Sequence, residues 1–343
     1  MLIHRAKPPD GEADSMRPEP AAAPQAPDVR LRFPVDREFP VPESEYPLLF
    51  QPTESGRPES ALYGSTRTRR ASKNRLVPSF HEGIDIRASG RDSKGRPRDP
   101  VLAAADGVVA YLNRHSGNSS YGIYAVLRHS DRAGEFFTLY AHLSGLAPGL
   151  AVGGRVAAGD TVGLLGNTPA DIIPLARAHL HFEVGLMLNA RFDQWYRKQK
   201  LVPDHGDMHG WNLVGLDPLE ILLRFAAEPE FTLSEHLREL APAFHLVFRA
   251  RRQLDFFERH PAAWSGEPYG GPAIFMAVSE NGLPLGGRNA SPEETHRLGR
   301  ARALVVDVNA DVLGRNGARL VERANGGWKL AGAGERWLGI LVY

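Results

Sequence analysis

There is no cysteine in this 343-residue chain. Disulfides and thiolate metal sites are therefore excluded, and any transition-metal site must draw on His, Asp or Glu. The absence fits an oxidising or a reducing compartment equally well. Also missing is any apolar run near the roughly 18 to 20 residues that span a bilayer. The first thirty residues hold no apolar core of the kind a signal peptide needs. Net charge is nearly absent too: 41 basic residues face 40 acidic ones, a formal +1. The whole molecule thus has no pull toward nucleic acid, and local clusters must be judged separately. What is present is ordinary. A 42% hydrophobic and 24% charged composition suits a soluble globular chain, and the length suits two domains with tails.

Residues 1–30 are rich in Pro, Ala, Glu and Asp and read as a flexible leader or linker, because they cannot bury enough apolar surface to offset ordering entropy. Residues 31–60 place apolar side chains between prolines, as in Phe33-Pro34, Phe39-Pro40 and Tyr46-Pro47. That pattern predicts an extended segment packing on a neighbouring domain; a segment covering a cleft is the sharper alternative. The basic stretch from Arg67 to Arg98 reads as a solvated loop, with a rim for an anionic polymer as the alternative. No aromatic is interleaved among Arg67, Arg69, Arg70, Lys73 and Arg75, so base stacking is not supported.

Between 100 and 165, glycine turns separate short strands over Pro100–Ala104, Gly107–Leu112, Tyr121–His129, Glu135–His142, Arg155–Val156 and Thr161–Leu165. The eight residues Arg177–Val184 alternate polar and apolar, predicting a strand with His179, His181 and Glu183 on one face and Leu180, Phe182 and Val184 on the other. Likewise Phe80–Ile86 as a strand puts His81, Gly83 and Asp85 on one face. Gly83 would then let an ion and substrate approach the backbone. Phe137–His142 as a strand puts Tyr140 and His142 together. For Arg177–Val184 taken alone, a surface strand with two solvated histidines is the competing reading.

Met187–Leu216 reads as irregular, followed by a short helix near Pro218–Ala226. From Phe231 the chain predicts a smaller β-rich accessory domain with short helices. Thr232–Leu240 and Ser291–Gly299 are the helices, the second with Ser291 as cap, Pro292 at the first position and Gly299 as stop. Strands are expected at Phe244–Ala250, Ala303–Val308, Ala318–Arg323, Trp328–Leu330 and Trp337–Tyr343, with turns at Arg315-Asn316-Gly317 and Asn325-Gly326-Gly327.

Taken together, His81-x-Gly-x-Asp85, Tyr140-Ala141-His142-Leu143 and His179-Leu180-His181 resemble the three signatures of the lysostaphin/LytM-type zinc metallopeptidases, which are bacterial peptidoglycan endopeptidases. The resemblance runs from about Tyr63 to Val184 and includes Tyr63-Gly64-Ser65 and Val156–Gly163. It implies a mainly β, lysostaphin-like peptidase domain of the barrel-sandwich hybrid type, over about residues 61–226, with the accessory domain over 231–343. It further implies one Zn2+ held by His81, Asp85 and His181, with His142 and His179 as the catalytic histidines. The chemistry agrees: three protein ligands leave one tetrahedral position open, and a single carboxylate leaves the centre positively charged. The expected reaction is hydrolysis of peptide cross-bridges through a metal-activated water. His179 would be the general base, and His142 would meet the oxyanion or the leaving amine, though the two roles can be exchanged. Tyr140 and Glu183 are expected either to support this centre or to be structural.

His115 and His129 match no ligand motif and are expected to be structural or exposed. His205 and His209 have helical ligand spacing, but Gly206 and Gly210 argue for a loop there. The expected partner is a peptidoglycan peptide, bound by a monomer in the cell envelope, periplasmic or secreted, although no export signal is seen. A binding or regulatory protein that recruits another murein hydrolase is the alternative. A lipoyl-like carrier is disfavoured because residues 100–185 contain no lysine to modify.

Overall fold

The computed structural model describes residues 28–343 apart from 71–75, 202–204, 251–252, 268, 315–319 and 325. Most of the expected leader and the Arg315-Asn316-Gly317 turn lie outside the described residues, as does Asn325. The fold is mainly β, and its sheets do not close into a barrel. Its largest sheet has seven strands, all paired antiparallel. In order they are Leu213–Leu216, His179–Met187, Gly134–Leu143, Ile123–Asp131, Gly107–Asn113 and Arg155–Val156, while Ile84–Arg87 joins the first half of the His179–Met187 strand on the edge it shares with Leu213–Leu216. A three-stranded sheet of Pro100–Leu102, Thr161–Leu164 and Gly145–Leu146 packs beside it.

Alternation decides the two faces of the central strand. Leu180, Phe182 and Val184 are completely buried in the main core, together with Tyr140 of the neighbouring strand. Pairing sets Asp85 and Ala141 opposite His181 and Leu139 opposite Glu183, so these side chains share the other face.

Phe80–Ile86 is not one strand. A hairpin strand ends at Phe80, residues 81–83 form a bend, and pairing resumes at Ile84. Gly83 makes room for protein, not for an ion: a Cβ there would lie 2.3 Å from the Phe182 carbonyl oxygen. The segment 31–50 is part of the core. Leu31, Phe33, Val35, Leu49 and Phe50 are all buried in it, and Val35 and Phe50 bridge to Val101 and Ile86.

The stretch expected to be irregular holds a helix, Phe192–Lys198, and the edge strand Leu213–Leu216. Beyond it, Pro218–Ala227 is a helix capped by the Asp217 carboxylate. The C-terminal region builds a four-stranded antiparallel sheet (Pro284–Asn289, Ile274–Val278, Phe244–Phe248, Ala303–Val306) and a hairpin. Ser291 forms a full capping box with Glu294, and Gly299 ends that helix at φ 52°. Trp337–Tyr343 is not a strand: Gly332–Leu341 is a helix. Trp337, Leu338, Ile340 and Leu341 sit at i, i+1, i+3 and i+4 and are all buried, so a short apolar run that fits either period was resolved by packing. Residues of both regions belong to one continuous core. The Asn281 amide reaches across it to Tyr63 Oη (2.8 Å) and the Gly215 carbonyl (2.6 Å).

Candidate active site

The strand register brings His181 and Asp85 together, and the bend at 81–83 folds His81 back onto them. His81 Nε2 lies 3.1 Å from both Asp85 Oδ1 and His181 Nδ1, and His181 Nδ1 lies 3.0 Å from Asp85 Oδ1. All three side chains are buried. Among the described residues this is the one cluster of His or acidic groups able to hold a metal ion.

Tautomers follow from the far side of each ring. A carbonyl can only accept, so His81 Nδ1 donates to Leu62 O at 2.8 Å and leaves Nε2 bare. Burial pushes the His81 imidazole down to about 4, despite Asp85 beside it. His181 Nε2 donates to Glu183 Oε1 at 2.7 Å. Burial opposes charge on His181 as well, yet Asp85 and Glu183 push it up to about 9. The Asp85 carboxyl sits well below the usual carboxylate range; burial would raise it, but His179, Arg67 and His81 outweigh that cost. The cluster therefore draws positive charge to the point where its three donor atoms meet. Zinc bonds of roughly 2.0 to 2.2 Å at tetrahedral angles separate ligand atoms by about 3.3 to 3.6 Å, close to what is found here. The residues fit a metal ion.

Two more imidazoles adjoin this point. His179 Nδ1 donates to Arg177 O (2.7 Å), leaving Nε2 bare at 3.5 Å from Asp85 Oδ2. His142 Nδ1 donates to Thr168 O (2.8 Å), and its ring centre is 4.8 Å from that of His179. Burial lowers both imidazoles, most strongly His142, which also feels His179 and His181. All five predicted site residues thus meet in one place.

His142 reaches it by a route that alternation does not predict. Regular pairing would put it with Tyr140 on the core face. Instead the register slips, with Tyr140 opposite Ala125 and Leu143 opposite Ile123, so one extra residue bulges. His142 takes φ 62° and turns to the opposite face from Tyr140. A left-handed conformation costs an L-residue about 1–2 kcal/mol, here spent at a site histidine. Gly122, at φ 65°, lets the Thr168 backbone come close enough to hold His142: a Cβ there would be 2.3 Å from Thr168 O. Tyr140 itself is a core residue, its hydroxyl accepting from Ala104 N at 2.8 Å, and does not touch the centre.

Glu183 does reach the centre, and it also accepts a hydrogen bond of 2.7 Å from Tyr121 Oη. Sequence reasoning missed Tyr121 and Arg67 in this role. Arg67 Nη2 donates to Asp85 Oδ2 at 2.7 Å, occupying the oxygen that faces away from His81. Their only sequence signals were an aromatic at a strand start and one arginine in a basic run. His129 is buried between Asp106 O and Thr138 Oγ1, and His115 is exposed. His205 Nδ1 lies 3.0 Å from Tyr111 Oη and joins no metal cluster among the described residues.

Residues 79–192 match the sequence model of peptidase family M23. No curated protein matches the chain. Among solved structures, the catalytic domain of the antimicrobial peptidase lysostaphin from Staphylococcus simulans is 20% identical, with 47% of this chain and 89% of that one covered at a TM-score of 0.29. The catalytic domain of the prophage-encoded M23 protein EnpA from Enterococcus faecalis is 22% identical, covering 35% and 78% at 0.24. Helicobacter pylori Csd3 is 21% identical, covering 62% and 45% at 0.28. The five clustered side chains all fall within residues 79–192, and that segment of the chain is a peptidase family M23 domain.

Proposed function

We propose that this protein is a zinc-dependent endopeptidase that hydrolyses peptide cross-bridges of peptidoglycan in the cell envelope. The convergence of His81 Nε2, Asp85 Oδ1 and His181 Nδ1 within 3.0–3.1 Å, with two further imidazoles alongside, carries this reading. Zinc held by these three atoms supplies electrophilic charge for amide hydrolysis. The chain's own groups do the rest. His179 is kept in one tautomer by Arg177 O, so its Nε2 is free to take the proton of the attacking water. His142, fixed by Thr168 O beside it, presents a second bare Nε2 that can take up that proton and hand it to the leaving amine. Burial keeps both rings neutral near pH 7, the state a base requires. Glu183 orients His181, and Tyr121 orients Glu183. Loop 166–177 supplies both carbonyls that fix His142 and His179, so a single loop sets both tautomers.

The test is mass spectrometry of fragments released from purified sacculi by the zinc-loaded protein, with His181→Ala as control. Conversion of cross-linked dimers to monomers by the unmutated protein alone supports the reading, and the fragment masses name the bond. If neither protein releases fragments while both bind sacculi, the chain recruits or regulates another hydrolase instead.

A further inference from the structure

A second cleft opens where the helices Phe192–Lys198 and Gly332–Leu341 meet Arg249 and Arg302. Its volume is about 930 Å3, inside the roughly 300–1,000 Å3 range of small-molecule sites. None of the five clustered site side chains lines it. Four cations do: Lys198, Arg249, Arg302 and Arg336. They face a single acidic side chain, Glu335, which lies 3.5 Å from Arg302.

Two aromatic rings of the cleft carry two of these cations. The Arg336 guanidinium sits 4.2 Å over Trp211, whose ring also packs on Tyr196 and His209. Lys198 Nζ lies 5.4 Å from the centre of the Tyr343 ring. One further donor lies beside the space. Trp195 is only 8% exposed. It faces Gly339, where a Cβ would lie 3.6 Å from Trp195 Nε1 and 3.2 Å from Arg302 Nη2. Glycine inside a helix weakens it; here it keeps the floor of the cleft clear in front of two donors.

Positive charge thus outnumbers the one carboxylate among the lining residues, while Arg249 also donates to the carbonyls of Gly299 (2.9 Å) and Ala301 (3.4 Å). Guanidinium groups pair with the paired oxygens of phosphate and carboxylate, and the volume exceeds what a single inorganic anion fills. We propose that this cleft binds a small organic polyanion carrying at least two phosphate or carboxylate groups. The assignment is independent of the histidine centre.

Isothermal titration of the zinc-loaded full chain with pyrophosphate and with citrate tests it, with inorganic phosphate as the weaker anion and glucose as the uncharged comparison. Pyrophosphate or citrate should bind, more tightly than phosphate, with affinity falling as salt rises. The relative strength of the two tells phosphate from carboxylate preference. Arg302→Gln and Arg336→Gln should each weaken binding by roughly tenfold, and the double variant should abolish it. Arg297→Gln, outside the cleft, should change nothing. Gly339→Ala keeps the helix and narrows the floor, so it should weaken binding several-fold without lowering the melting temperature. Binding should persist in His181→Ala. No binding of either polyanion, full binding by the double variant, or loss of binding in a folded His181→Ala protein would each overturn the proposal. So would the pattern expected if the cations only offset the C-terminal end of the last helix, namely a lowered melting temperature in the arginine variants with no bound anion.

Discussion

Both regions of this molecule bury histidines, and they do so in opposite ways. In the M23 domain, His81, His142, His179 and His181 each tie one ring nitrogen to a carbonyl or carboxylate and turn the other toward a shared space. In the C-terminal region, His236 Nε2, His245 Nδ1 and His260 Nδ1 are buried with no hydrogen-bond partner among the described residues, and none of the three joins a metal-binding cluster there. Burial of an imidazole is therefore not what marks a functional centre. Convergence of bare nitrogens, each backed by a fixed acceptor, is.

The contrast can be tested from both sides. The largest effect belongs to the convergent set: His181→Ala should lose both stoichiometric metal, by elemental analysis, and fragment release, because only two donors remain. The dispersed set should add to acid lability without touching the metal, alongside His81, which burial also pushes down to about 4. Burial holds His236 and His260 down to about 4 and about 3. The unfolded chain takes up protons near pH 6.5 while the folded chain does not, so the contribution is complete above that pH and drains away as pH falls toward 4. On the order of 3 kcal/mol per histidine is at stake. Thermal melts from pH 7 to 4 should show the loss, and His236→Gln should lessen it without touching metal content.

Glu183→Gln comes next, with metal affinity or activity reduced about 10- to 100-fold and the fold retained. An unchanged metal affinity and turnover would demote Glu183 to a structural residue. A smaller effect separates strain from chemistry at His142. His142→Gly should be more stable than His142→Ala by about 1–2 kcal/mol in denaturant titration, since glycine accepts φ 62° without penalty. Both should be poor catalysts. The smallest expected change is Ser291→Ala, which removes a capping box outside the convergent set and should cost about 1 kcal/mol with no change in activity.

Most of the centre was legible in the sequence because strand alternation and motif order carry it. His179, His181 and Glu183 lie on one face as the two-residue period requires. What could not be read there is non-local or breaks the period. The bulge at His142 reverses a face on the strength of one backbone angle. The bend at 81–83 ends a strand that the pattern would continue, because the hairpin strand before it pairs elsewhere. Tyr121 and Arg67 join through contacts with residues 62 and 18 positions away, which no local pattern encodes. The Trp337–Tyr343 run fits strand and helix equally until the core it packs against is known.

The burial of residues 31–50 bears on how this protein could be handled at the bench. A catalytic fragment cut to begin at Ala61, natural if the preceding stretch were a removable flap, would withdraw Phe33, Val35, Leu49 and Phe50 from the core. It would also delete the Gln51 N–H that donates to the backbone carbonyl of Asp85 at 2.8 Å. Such a fragment would expose sticky surface and loosen the Asp85 strand together, so its inactivity would say nothing about latency. Any informative truncation has to stop short of Leu31.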